Sequence, residues 1–235
     1  MENESRNDGF IAVILFSAAA AGMLYLIQQY WIDPLLDSRP LSALFRTLRM
    51  LIVYVIPAIW WLKRNNKEST FNSLGLSFQK GQRVFIIGTG LALYTIALAV
   101  FMLWPPQSCG FTFWQVNRCT DTVLSDWFFT LPLICIMAMI TDLWTRGFVL
   151  LQAADKWGER PAIILQNSLW LILHLYELEL LAPSMSWFGA IALALFLGLI
   201  GDLIALRTRS VVGLMAGHAL LNVGWAISLA TWFSP

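Results

Sequence analysis

Charge is what this chain has least of. Only 12% of its 235 residues are Asp, Glu, Lys or Arg, about half the share of a soluble domain. The net charge of +1 leaves no basic surface for nucleic acid, so none is expected as a partner. There is no sustained soluble stretch, which argues against a second domain. Short alternating apolar runs are missing too, which excludes a transmembrane β-barrel. Histidine occurs twice and cysteine three times. What remains is 58% hydrophobic and includes 12 tryptophans, residues that favour membrane–water boundaries. The composition predicts an all-α integral membrane protein: a single polytopic domain over 1–235 with the lipid bilayer as its surroundings.

Seven stretches approach the roughly 20 residues needed to cross a bilayer as helix: about 10–32, 43–62, 83–104, 127–153, 161–181, 187–206 and 211–233. The first resembles a signal peptide near Ala18 to Ala21, but its leader "MENESRND" is net acidic and the apolar run is too long. It is read as a retained span. Seven spans place Arg6, Lys63, Arg64, Lys67, Lys80, Arg83, Lys156, Arg160, Arg207 and Arg209 on one side, and Arg39, Arg46, Arg49 and Arg118 on the other. Basic residues favour the cytoplasmic face. The expected arrangement is therefore in the plasma membrane, with the N-terminus cytoplasmic and the C-terminus external. Lys63 to Arg83 is then cytoplasmic and Pro105 to Ser125 external. A cysteine placed at position 67 should be labelled from the cytoplasmic side only; labelling from outside intact cells overturns the orientation. An external Pro105–Ser125 loop also puts Cys109 and Cys119 in an oxidising setting, where they can form a disulfide or remain two thiols. Cys135, within a span, is expected to be a packing residue.

Ionisable groups at bilayer depth are rare and mark function more often than not. Asp142 and Arg146 stand four apart in "ITDLWTRGFVL", a spacing that lets their side chains pair on one helix. Both histidines fall inside spans. His174 closes "WLILH", four residues after Trp170, and His218 opens "HALLN", four residues before Asn222. Three spans thus each carry a pair on one face. The bland alternative is an ion pair that neutralises itself and two histidines that merely pack.

These stretches resemble the CAAX-protease and bacteriocin-processing (CPBP) family of intramembrane endopeptidases. That family carries Glu-Glu-x-x-x-Arg on one helix, Phe-x-x-x-His on the next and His-x-x-x-Asn/Asp near the end. "TDLWTRG", "WLILH" and "HALLN" follow in the same order, and "LGL" at Leu74 to Leu76 and "RTRS" at Arg207 to Ser210 resemble two of its turns. The resemblance covers about 70–230, with two leading helices over about 10–62. It implies a helical bundle around a polar intramembrane cavity and hydrolysis of a membrane-embedded or membrane-anchored peptide or protein. Asp142 with His174 would activate water, His218 and Asn222 would bind the oxyanion, and Arg146 would hold Asp142 ionised. The first glutamate of the pattern is Thr141 here, whose hydroxyl is no general base near neutral pH. Glu177, three residues past His174, is the one other carboxylate placed to substitute, and otherwise reads as a residue at the membrane boundary. Asp202, near a span end, reads as exposed.

Two further classes stay open. Thr141 favours a non-catalytic scaffold, immunity or regulatory protein that binds a protein partner. His174 and His218 on separate helices also allow a haem-binding subunit. Asp142, His174 and His218 meet the ligand count of a catalytic zinc, but without His-x-x-x-His spacing the expected site holds no metal and no other cofactor. Oligomeric state is not legible.

Overall fold

The computed structural model describes residues 2–32, 39–65, 69–78, 81–103 and 124–232. Helix dominates, and no strand occurs among these residues. In chain order the helices are α1 (Glu2–Ile27), α2 (Arg39–Met50), α3 (Ile56–Asn65), α4 (Thr70–Ser73), α5 (Arg83–Leu103), α6 (Leu124–Asp142), α7 (Leu151–Trp157), α8 (Glu159–Leu173), α9 (Leu175–Thr208) and α10 (Val212–Trp232). The backbone widens to π-helical geometry over Gln28–Ile32, Leu51–Val55 and Leu143–Leu150. Cys109, Cys119 and most of the loop assigned to the outside lie beyond the described residues.

Five helical segments among the described residues are long and apolar enough to span a membrane: Gly9–Ile32, Pro40–Asn65, Arg83–Leu103, Phe128–Trp157 and Leu181–Thr208. The expected 161–181 span is instead divided between α8 and α9, because His174 leaves helical geometry at φ −108°, ψ 12°. The expected 211–233 span is the helix α10, whose apolar part with described side chains is Val212–Gly224. A second break lies within α9. Ser186 takes φ 67°, three residues after Pro183, and its Oγ accepts from the Gly189 amide at 3.2 Å. A hydroxyl capping the third amide beyond it is how a new helix starts, so α9 is two helices in sequence.

Large apolar side chains face outward, as Trp31 (75% exposed) and Phe188 (82%) illustrate, whereas Asp142, Arg146 and Asp202 are fully buried. That inversion suits a hydrocarbon surround, where an inward charge finds partners and an outward one does not. The chain is an integral membrane protein.

Small residues set the closest helix approach. Gly90 on α5 lies against Gly213 and Gly217 on α10, and a Cβ at any of the three would collide with the facing backbone. Such contacts replace the hydrophobic drive that lipid cannot supply between helices. The α1 and α3 helices dock through an aromatic cluster. Phe10 packs on Trp61 (ring centroids 5.2 Å), Phe148 (5.4 Å) and Trp157 (5.5 Å).

The Leu74–Leu76 and Arg207–Ser210 turns meet. Gly75, at φ 68°, presents its carbonyl to the Val211 amide at 2.9 Å. A Cβ there would press on Leu151 and on the Val211 amide, so this corner needs glycine on both conformational and steric grounds. The effect is to seat the start of α10, and hence His218 two turns on, against the helix that carries Arg146.

Candidate active site

Asp142 ends α6, and Arg146 lies one turn on in the π-helical run Leu143–Leu150. The two form an ion pair through Asp142 Oδ1 and Arg146 Nη1, both side chains being out of solvent. Arg146 also reaches across to α9, where Nε donates to Asp202 Oδ1 at 3.2 Å. Asn167 Nδ2 on α8 donates to the other oxygen of Asp202 at 2.7 Å. From α5, the Tyr94 hydroxyl donates to Asp142 Oδ2 at 3.2 Å and accepts from Arg146 Nη1 at 3.2 Å. The Arg146 guanidinium sits 4.2 Å above the Trp170 ring, a cation–π contact that gains from its dry surroundings. One arginine therefore ties four helices.

Burial of that kind is tolerated only where each charge is paired and hydrogen-bonded. The chain makes room for it. A Cβ at Gly201 would lie 2.8 Å from Arg146 Cζ, and one at Gly198 would collide with Asn167 Oδ1. Asp202, which reads from sequence as an exposed carboxylate at a span end, is instead fully buried as the second partner of Arg146. Tyr94 and Asn167 likewise escape a sequence reading. The usable signals were a lone tyrosine in the middle of α5 and the two glycines one turn and one residue before Asp202.

His218 Nδ1 meets Asp142 Oδ2 at 3.0 Å. Its ring stacks on Tyr94, with centroids 4.9 Å apart and planes within 7°. His174 turns back on its own helix, Nδ1 lying 2.8 Å from the Trp170 carbonyl, and its ring packs 3.9 Å from the Trp170 ring. A carboxylate and a carbonyl only accept, so each histidine carries its proton on Nδ1 and has Nε2 left over. The two imidazoles stand 6.1 Å apart. Asn222 Nδ2 donates one hydrogen to the His218 carbonyl at 3.0 Å, and its second is free for another acceptor.

These rings open on a cavity of about 560 Å³. Thr141, Trp170, His174, Glu177, His218 and Asn222 give its wall polar points; the rest is mainly apolar, with Ala18 and Tyr25 of α1 and Val53 of the Leu51–Val55 segment among its residues. Asp142, Arg146 and Asp202 stand behind that wall. Thr141 Oγ1 donates to the Met137 carbonyl of its own helix at 3.0 Å. Glu177, expected at the membrane boundary, lines the cavity with Oε2 buried.

The sequence-derived set Asp142, Arg146, His174, His218 and Asn222 thus gathers around one chamber, in two layers. Both oxygens of Asp142 are engaged by Arg146, Tyr94 and His218, and among the described residues no three His, Cys, Asp or Glu side chains converge on a point.

No curated protein and no solved structure matches the chain. A family model described as type II CAAX prenyl endopeptidase Rce1-like matches residues 123–224, the segment that runs through α6, α8, α9 and most of α10. The two helical segments that lead the chain, Gly9–Ile32 and Pro40–Asn65, precede the match. Residues 123–224 are therefore similar to the Rce1-like endopeptidases, a group within the CPBP family.

Proposed function

We propose that this protein is an intramembrane endopeptidase that hydrolyses a peptide bond of a membrane-embedded or membrane-anchored substrate. The observation that carries the reading is the pair of imidazoles on one intramembrane cavity, each fixed through Nδ1 and each with Nε2 as its remaining polar atom. The family match supports the same class of chemistry. Water held by the lone pair of His174 Nε2 attacks the scissile carbonyl. The carbonyl oxygen, as it gains charge, meets the second amide hydrogen of Asn222 and His218 on α10. With Nδ1 given to Asp142, His218 donates through Nε2 only as an imidazolium, and Asp142 supplies the counter-charge. Arg146 and Tyr94 hold Asp142 in place for that task. No metal takes part in this scheme. The chain lies in the plasma membrane with its N-terminus cytoplasmic, as its basic residues favour.

The test uses the full chain in liposomes with prenylated CAAX-type peptides and peptides cut from membrane-protein segments, new termini being read by mass spectrometry. Wild type is expected to cleave at a defined bond. His174→Ala and His218→Ala should each lose roughly 10²-fold or more, the scale for one proton-transfer or oxyanion partner, while melting as folded proteins. Cleavage that survives both substitutions sinks the assignment.

One observation favours a second reading. Thr141, in the cavity wall where the family carries its first glutamate, spends its hydroxyl on Met137. A chain whose chamber binds a peptide without cutting it has no need of a base there. Wild type that binds such peptides yet yields no new termini establishes this non-catalytic reading.

A further inference from the structure

Glu177 sits in the first turn of α9, three residues past the break at His174, and both side chains line the cavity. It is the one carboxylate among the described cavity residues. Its Oε2 is buried and has no hydrogen-bond partner. A carboxylate oxygen withdrawn from bulk water without a donor is costly, and buried polar atoms nearly always find partners. A boundary residue reaching solvent would show neither feature. The chamber is large enough for water beside it.

The hydrolytic scheme lacks one group: something must take the proton of the attacking water. Asp142 is committed to Arg146, Tyr94 and His218 behind the wall. Thr141 cannot serve, for the reason given by its chemistry. We infer that Glu177 is the general base of this site, supplying from α9 the carboxylate that position 141 lacks on α6. The inference rests on the hydrolase reading above.

The step balances. Glu177 removes a proton from the water held by His174 while the water oxygen bonds to the scissile carbonyl carbon and the C=O pair moves onto oxygen. The resulting oxyanion is met by Asn222 and His218. As the C–N bond breaks and the oxyanion collapses, Glu177 delivers the proton to the leaving nitrogen. One water is consumed, a carboxylic acid and an amine are released, and Glu177 is a carboxylate again. The break at His174 is then functional: it turns a residue three positions further along into the same chamber as the imidazole.

The experiment measures kcat and KM for wild type, Glu177→Gln, Glu177→Asp and the double variant Thr141→Glu/Glu177→Gln, all full length in liposomes, on the peptide that wild type cleaves. Glu177→Gln keeps shape and loses the base. It should lower kcat by about 10²–10⁴-fold with KM nearly unchanged. Restoring a carboxylate on the α6 wall should recover at least tenfold of that loss, a rescue that a purely structural glutamate would not show. Glu177→Asp withdraws the carboxylate by one methylene and should lose on the order of 10²-fold; it carries the test should the Gln variant fail to fold. Folded Glu177→Gln or Glu177→Asp at wild-type rate, or no rescue in the folded double variant, overturns the role of Glu177 and leaves the hydrolase reading standing on His174 and His218. Wild type that cleaves nothing overturns both.

Discussion

Arg146→Ala is expected to destabilise the folded protein by roughly 3–5 kcal/mol, the range for removing one partner of a buried ion pair. The reason is arithmetic of charge. Asp142 and Asp202 are both fully buried and share this one guanidinium. Deleting it leaves two carboxylates that repel each other, held only by Tyr94 and His218 on one side and Asn167 on the other. Trp170 loses the cation above its ring as well. A lysine at this position has a single ammonium and cannot fork to two helices, so Arg146→Lys should fall between. The check is thermal or denaturant unfolding in detergent, with near-ultraviolet circular dichroism reporting the packed tryptophans. Neutralising the whole cluster at once, with Arg146→Met, Asp142→Asn and Asp202→Asn, should cost less than removing the cation alone, because no unpaired charge remains. A loss under about 1 kcal/mol for Arg146→Ala would show that the cluster does not fasten the bundle.

This cluster also shows how far a sequence reading reaches. The Asp142–Arg146 pair was legible because a helix puts residues four apart on one side, and because charge in so apolar a run demands a reason. The partner on α9 was not. Asp202 lies 56 residues beyond Arg146, near a span end where a carboxylate ordinarily meets water. Only the docking of helices, permitted by Gly198 and Gly201, turns it inward. The division of 161–181 escaped for a related reason. Nothing in "WLILHLYELEL" breaks a helix locally, and His174 leaves helical geometry with its ring bonded back to Trp170. The second break was more legible, since Pro183 precedes Ser186 by three residues.

The same break decides how Glu177 is read. On an unbroken 161–181 span, residue 177 falls near the membrane boundary and needs no explanation. With α8 ending at Leu173 and a new helix setting off from Leu175, it enters the chamber. Thr141 is the opposite case. Its place beside the site followed from the helix that bears Asp142, and the loss of a carboxylate there was visible from sequence. Glu177 was legible as the one other carboxylate placed to substitute, but its entry into the chamber was not, because that depends on the break at His174.

Asp142→Asn should separate the two layers of the site. The substitution removes one of two carboxylates and leaves Arg146 with Asp202, Tyr94 and Trp170, a neutral pair in place of an uncompensated charge. Folding should therefore survive far better than in Arg146→Ala. Activity should not. The asparagine either turns its amide nitrogen toward His218 Nδ1, which obliges that ring to accept there and reverses its tautomer, or keeps its oxygen there and brings no negative charge to balance an imidazolium. In both arrangements the charged donor to the oxyanion is lost, a change worth about 10²–10³-fold in kcat. In the proposed scheme water activation rests with His174 and Glu177, which line the cavity, so the residual rate should still fall when Glu177→Gln is added. The measurement is kcat against melting temperature for Asp142→Asn, Arg146→Ala and Asp142→Asn/Glu177→Gln in one detergent. Should Asp142→Asn fold like wild type and cleave at the wild-type rate, Asp142 is framework alone, and the pairing with His218 serves the bundle and not the reaction.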